Sequence, residues 1–90
     1  MLDIFYTSKF KKDYKKMVKQ GKPIYELEKI IFLLQQQEVL PEKYKDHQLT
    51  GNYMGFRECH ITPDWLLIYQ VKEAQLILAL ARTGSHSELF

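Results

Sequence analysis

Phe56-Arg57-Glu58-Cys59-His60-Ile61-Thr62-Pro63-Asp64-Trp65-Leu66-Leu67-Ile68-Tyr69-Gln70-Val71 reads as two strands folded back on each other. Phe56 to Ile61 is the first strand. Thr62-Pro63-Asp64 is the turn, with Pro63 pre-setting φ. Trp65 to Val71 is almost wholly apolar, the pattern of a central strand buried on both faces. A further apolar strand, Gln75 to Ala81, follows the short connection Lys72-Glu73-Ala74. Connections this short join antiparallel neighbours, so the second half of the chain is a small antiparallel sheet.

The first half supplies its cover. Leu2 to Tyr6 suits a short strand, and Thr7 or Ser8 suits the cap of a helix. At about 100° per residue, Phe10, Tyr14, Met17 and Val18 fall in one arc. Gly21-Lys22-Pro23 stops that helix and starts the next, expected from Ile24 to Gln37. Its apolar stripe is Ile24, Leu27, Ile30, Ile31 and Leu34, with Glu26 and Glu28 near the positive end of its dipole. Pro41 closes the helical part, Glu42 to Gly55 reads as a polar loop, and Arg82 to Phe90 reads as a polar tail. The expected fold is α+β in the order β-α-α-β-β-β, with a helical hairpin on one face of a small, mainly antiparallel sheet. The direction of the first strand is left open.

Ninety residues leave room for one domain, 1–90. With 46% apolar and 27% charged residues the chain is globular in composition. No apolar run approaches the roughly 20 residues that a membrane span needs, and no secretory signal pattern opens the chain. Cys59 stands alone and has no partner for an internal disulfide. A cytoplasmic protein with no membrane partner is the expectation. The net charge of +2 is split unevenly: residues 1–45 carry ten lysines against six acids, and residues 46–90 carry three cations against five acids. Seven lysines lie between Lys9 and Lys22 with only Asp13 opposing them. Such a face is either merely solvated or attracts a polyanion or an acidic partner.

All three histidines, His47, His60 and His86, lie in the second half, in loops or at strand ends. Their spacing matches no compact zinc pattern, and no Cys pair or His-Glu-x-x-His helix is present. The other chemistry open to them is general acid–base catalysis, one neutral imidazole taking a proton and one imidazolium giving one. Attack of an RNA 2′-hydroxyl on its own phosphate suits that pair, with Arg neutralising the phosphate and aromatic faces holding an unstacked base. Residue types alone leave both chemistries open.

Two strings add to this reading. Arg57-Glu58-Cys59-His60-Ile61-Thr62-Pro63-Asp64-Trp65 and Arg82-Thr83-Gly84-Ser85-His86-Ser87-Glu88-Leu89-Phe90, with Asp46-His47-Gln48-Leu49-Thr50-Gly51 before them, resemble the YafQ branch of the RelE/ParE toxin superfamily. The resemblance spans essentially the whole chain. It implies a RelE-like fold and the toxin of a type II toxin–antitoxin system. It further implies an endoribonuclease that cuts translated mRNA in the ribosomal A site with no metal or other cofactor. A cognate antitoxin would silence the toxin, and their complex would bind operator DNA through the antitoxin. By the same resemblance His86 is the expected general acid, His60 or His47 the base, and Asp64 a residue that orients or tunes an imidazole. Trp65 and Phe90 are expected to contact or position bases. Arg57 and Arg82, inside the matching strings, are assigned to phosphate on their chemistry.

Each assignment has a plainer rival. Trp65 opens a buried strand, Phe90 can simply dock the end of the chain, Asp64 follows a turn proline, and Arg57 can pair with a carboxylate. Glu58 shares strand parity with His60 but reads as an exposed strand carboxylate, and Cys59 as a small buried residue. Arg57 and His60 face opposite sides of a regular strand, so only a bulge would bring both to one phosphate. Rival functions are a non-catalytic ParE-like binding toxin, a metal-dependent hydrolase and an inactive antitoxin-binding relative.

Overall fold

The computed structural model describes all 90 residues, Met1 to Phe90. The elements run β1 (Asp3–Tyr6), α1 (Ser8–Lys19), α2 (Ile24–Gln35), β2 (His47–Gln48), β3 (Arg57–Thr62), β4 (Trp65–Lys72), β5 (Ile77–Gly84) and α3 (His86–Leu89). The five strands form one mixed sheet in the order β1-β5-β4-β3-β2. β1 lies parallel to β5, Asp3 beside Ile77 and Tyr6 beside Leu80, and every other pairing is antiparallel. The α+β layout and the pairing of β3, β4 and β5 are as expected.

Thr7 caps α1 by accepting from the Phe10 N–H at 3.1 Å. Its own hydroxyl donates to the Leu80 carbonyl at 2.8 Å, which ties the start of the helix to β5. Phe10 and Met17 are buried, but Val18 is 52% exposed. Val18 lies about 80° round the helix from Phe10, at the rim of the expected arc, and the sheet covers only the arc's centre. α2 ends before Gln37 because Gln37 takes a left-handed φ of 59°. The amides of Gln37 and Glu38 then return to the carbonyls of Leu34 and Leu33, closing the helix with a Schellman motif.

The core between helices and sheet joins Leu2, Phe10, Met17, Leu27, Ile30 and Leu34 to Cys59, Trp65, Leu67, Tyr69, Leu78 and Leu80. Leu66, Ile68 and Leu89 form a smaller cluster on the opposite face, with Leu49, Tyr53, Phe56 and Ala81 against it. The expected polar loop therefore holds the short strand β2 and covers the second face of the sheet.

The expected polar tail is corrected most. Arg82, Thr83 and Gly84 continue β5, and His86–Leu89 is helical. The register gives the reason. Tyr69 pairs with Leu80 while Ile68 pairs with Arg82, so Ala81 is an extra residue in β5. This bulge re-aims the strand, setting Arg82 opposite Ile68 and Thr83 opposite Leu67. No helix is long and apolar enough to cross a membrane.

Candidate active site

The face of the sheet away from α1 and α2 carries a row of directly paired residues: His47 with Glu58, Glu58 with Ile68, and Ile68 with Arg82. Residues directly opposite in antiparallel strands project to the same side, so the row is one surface. His60 lies two residues from Glu58 on β3 and shares that surface. Glu58 is buried at 4% accessibility. Its Oε1 lies 3.5 Å from His47 Nε2 and 3.7 Å from His60 Nε2, with the two rings 6.4 Å apart. His47 Nδ1 is 2.7 Å from the Lys45 carbonyl and His60 Nδ1 is 3.3 Å from the Pro63 carbonyl. A carbonyl only accepts, so both Nδ1 atoms carry hydrogen. Each Nε2 faces the same carboxylate oxygen, which aims both rings and can accept a proton from either.

His47 is held from the other side of the sheet. Asp46 accepts from Arg57 Nε and Nη2, each at 3.3 Å, and from the Tyr69 hydroxyl. Burial, then Asp46, pushes the Tyr69 hydroxyl well above its ordinary range, so it stays a neutral donor. Burial likewise raises the Cys59 thiol. A cleft of about 360 Å³ opens beside His60, lined also by Glu26, Lys43, Lys45 and Thr62.

His86 reaches the same face by another route. Leu66 pairs with His60 on one side and Gly84 on the other. Two strand spacings, roughly 10 Å, therefore separate His60 from Gly84, and His86 follows two residues later in the first turn of α3. Its ring lies 5.0 Å from that of Phe90, whose ring meets Tyr53 edge-on at 5.7 Å. His47 and His60 thus share a carboxylate, while His86 stands beside an aromatic group across the row and makes no direct contact with either.

A family model for bacterial toxins of type II toxin–antitoxin systems, YafQ, matches residues 2–90. The chain belongs to the YafQ toxin family. It is 39% identical over 89 residues to the mRNA interferase toxin YafQ of Escherichia coli strain K12, covering 98% of this chain and 95% of that protein. The metal-bound toxin from Helicobacter pylori superposes with a TM-score of 0.94 at 49% identity, each chain covered in full. YafQ in the Escherichia coli DinJ–YafQ complex superposes with a TM-score of 0.90 at 38% identity, covering 100% of this chain and 99% of that one. In this chain no group of three or more His, Cys, Asp or Glu side chains is arranged to hold an ion.

Four of the residues expected at a YafQ site stand differently from the sequence reading. Trp65 is 0% exposed, on the helix side of the sheet, with Nε1 donating to Thr83 Oγ1 at 2.9 Å. It is a core residue. Arg57 lies on the side opposite His60, as strand parity requires. The register shift in β3 falls after His60 and does not bring Arg57 across. There it pairs with Asp46, the plainer of the two readings the sequence offered. Partial burial works against its charge, but Asp46 and Tyr69 outweigh this and its pKa is raised. Asp64 is exposed, and its side chain makes no hydrogen bond to either imidazole. Arg82 faces the row, but Asp13 takes Nε at 2.6 Å and Nη2 at 3.2 Å. Only part of its donor set is left for a phosphate. The residue that sequence reasoning undervalued is Glu58, whose one visible signal was its parity with His60.

Proposed function

We propose that this toxin is a ribosome-dependent mRNA endonuclease working by general acid–base catalysis and silenced by a cognate antitoxin. The observation that carries the reading is the buried Glu58 carboxylate aiming two imidazoles, on the sheet face that also bears His86 and Phe90, in a chain of the YafQ family. Nε2 of His47 or His60, its own proton passed to the Glu58 carboxylate it faces, takes the proton from the RNA 2′-hydroxyl. The 2′ oxygen then bonds to the adjacent phosphorus, and the bond from phosphorus to the 5′ oxygen breaks. His86 delivers a proton to that leaving oxygen, so the products are a 2′,3′-cyclic phosphate and a 5′-hydroxyl. The exposed Asp64 carboxylate is free to accept from a ribose hydroxyl, and the exposed ring of Phe90 supports a base. The free edge of Arg82, with Lys43 and Lys45 by the cleft, meets phosphate. The lysine face of α1 holds the toxin on ribosomal RNA, so its binding weakens steeply with salt. The mRNA name of the Escherichia coli relative and its complex with DinJ support the substrate and the partner.

The test is cleavage of mRNA on programmed ribosomes, followed by primer extension. Glu58→Gln should lower the rate by about 100-fold, and His86→Ala by at least as much, with antitoxin binding intact. EDTA should leave cleavage unchanged. Equal cleavage of naked RNA would end the claim of ribosome dependence, and full activity in Glu58→Gln would end the role given to the carboxylate.

A further inference from the structure

We infer that Glu88 is a positioning residue for His86, and that α1 holds it in place through Lys16 and Gln20. The inference rests on the reading of His86 as the group that protonates the leaving oxygen.

A helix of one turn has no stability of its own, because nucleation fixes several residues for each hydrogen bond gained. α3 is four residues long, so outside contacts must hold it. Glu88 makes most of the polar ones. Its N–H donates to Ser85 Oγ at 3.2 Å, and its Oε1 accepts from the Ser85 N–H at 2.8 Å, completing a capping box. Its Oε2 accepts from Lys16 Nζ at 2.6 Å and from Gln20 Nε2 at 3.3 Å. Lys16 and Gln20 lie four apart, so both stand on one face of the helix end. Among the seven lysines from Lys9 to Lys22, Lys16 alone makes an ion pair.

His86 sits between the two residues this carboxylate ties together, the cap Ser85 and Glu88 itself. Phe90 is linked in as well, its N–H donating to the His86 carbonyl at 2.9 Å. Gly84 points the same way. A Cβ there would come 3.2 Å from Glu88 Oε1 and 3.3 Å from Leu89 Cδ2, so any larger residue would push both side chains of α3 back by a few tenths of an ångström. The Lys16 contact and then the Ser85 N–H hold the Glu88 carboxyl down to about 2, so the brace is charged at neutral pH.

The test compares Glu88→Ala, which loses cap and brace, with Lys16→Met, which loses the ion pair and keeps the capping box. Amide exchange of α3 and the line widths of the His86 ring are measured beside kcat and the half-saturating ribosome concentration. Glu88→Ala should lower α3 protection and kcat about tenfold, with half-saturation within about twofold. Lys16→Met should move both the same way by about threefold, and the double variant should fall no further than Glu88→Ala, because one interaction is removed twice. Unchanged α3 protection in both variants overturns the inference. So does loosened α3 with full kcat while His86→Ala is inactive. Activity retained in His86→Ala refutes the role of His86 itself, and α3 protection tells the two failures apart.

Discussion

Replacing Trp65 with Phe separates a core residue from a base-stacking one. The indole is 0% exposed and its N–H donates to Thr83 Oγ1 at 2.9 Å. Thr83 Oγ1 itself donates to the Leu66 carbonyl at 2.8 Å, a bond that survives the change. The loss is then one buried hydrogen bond, about 1 kcal/mol. To this is added the space left by one ring. Removing the whole side chain costs about 3–5 kcal/mol, and Phe retains most of it, leaving about 1–1.5 kcal/mol. The sum is about 2–2.5 kcal/mol. With a urea slope near 1 kcal/mol/M, the midpoint should fall by about 2 M with the slope unchanged. Cleavage per folded molecule should stay within about twofold of the parent. A midpoint shift below about 0.5 M together with lost cleavage would refute this reasoning and return Trp65 to the RNA.

Asp13→Ala removes the partner of both Arg82 and the Thr83 N–H, which Asp13 Oδ2 accepts at 3.1 Å. These groups are largely buried, so urea denaturation should show a loss of about 2–4 kcal/mol; a change below about 0.5 kcal/mol would show the pair to be solvated. Acid should act through Glu88, whose carboxyl is lowered from 4.5 to about 2 when folded. A depressed carboxyl stabilises the fold above its unfolded value, so that contribution is complete above about pH 4.5 and fades as pH falls toward 2. Glu88→Gln should remove that slope from stability measured against pH, and an unchanged slope would assign it to other carboxylates.

Most of the fold was legible because it rests on local signals. The apolar run Trp65 to Tyr69 could only be a buried strand, and all five residues are buried. Thr7 and the Gly21-Lys22-Pro23 break marked the helix ends, since caps and breakers act through their own backbone. The path of Arg82 to Gly84 was not legible. Nothing in that segment announces a strand, and the Ala81 bulge arises from pairing with β4. β2 was hidden for a similar reason: His47 and Gln48 are polar and become a strand only by lying beside Glu58 and Arg57. At the site, the resemblance named the histidines, but burial reassigned their neighbours. Glu58 reads as a surface carboxylate until two imidazoles close over it, while Trp65, placed at the bases by the resemblance, is the core residue that its buried strand suggested.

The parallel pairing of β1 with β5 has a consequence for the timing of synthesis. Asp3 to Tyr6 have no partner until Ile77 to Leu80 have followed. Contacts this distant along the chain are slow to form and cannot form early. His86 is made later still. A nascent chain therefore carries its lysine-rich helix long before it can assemble the imidazoles of the site.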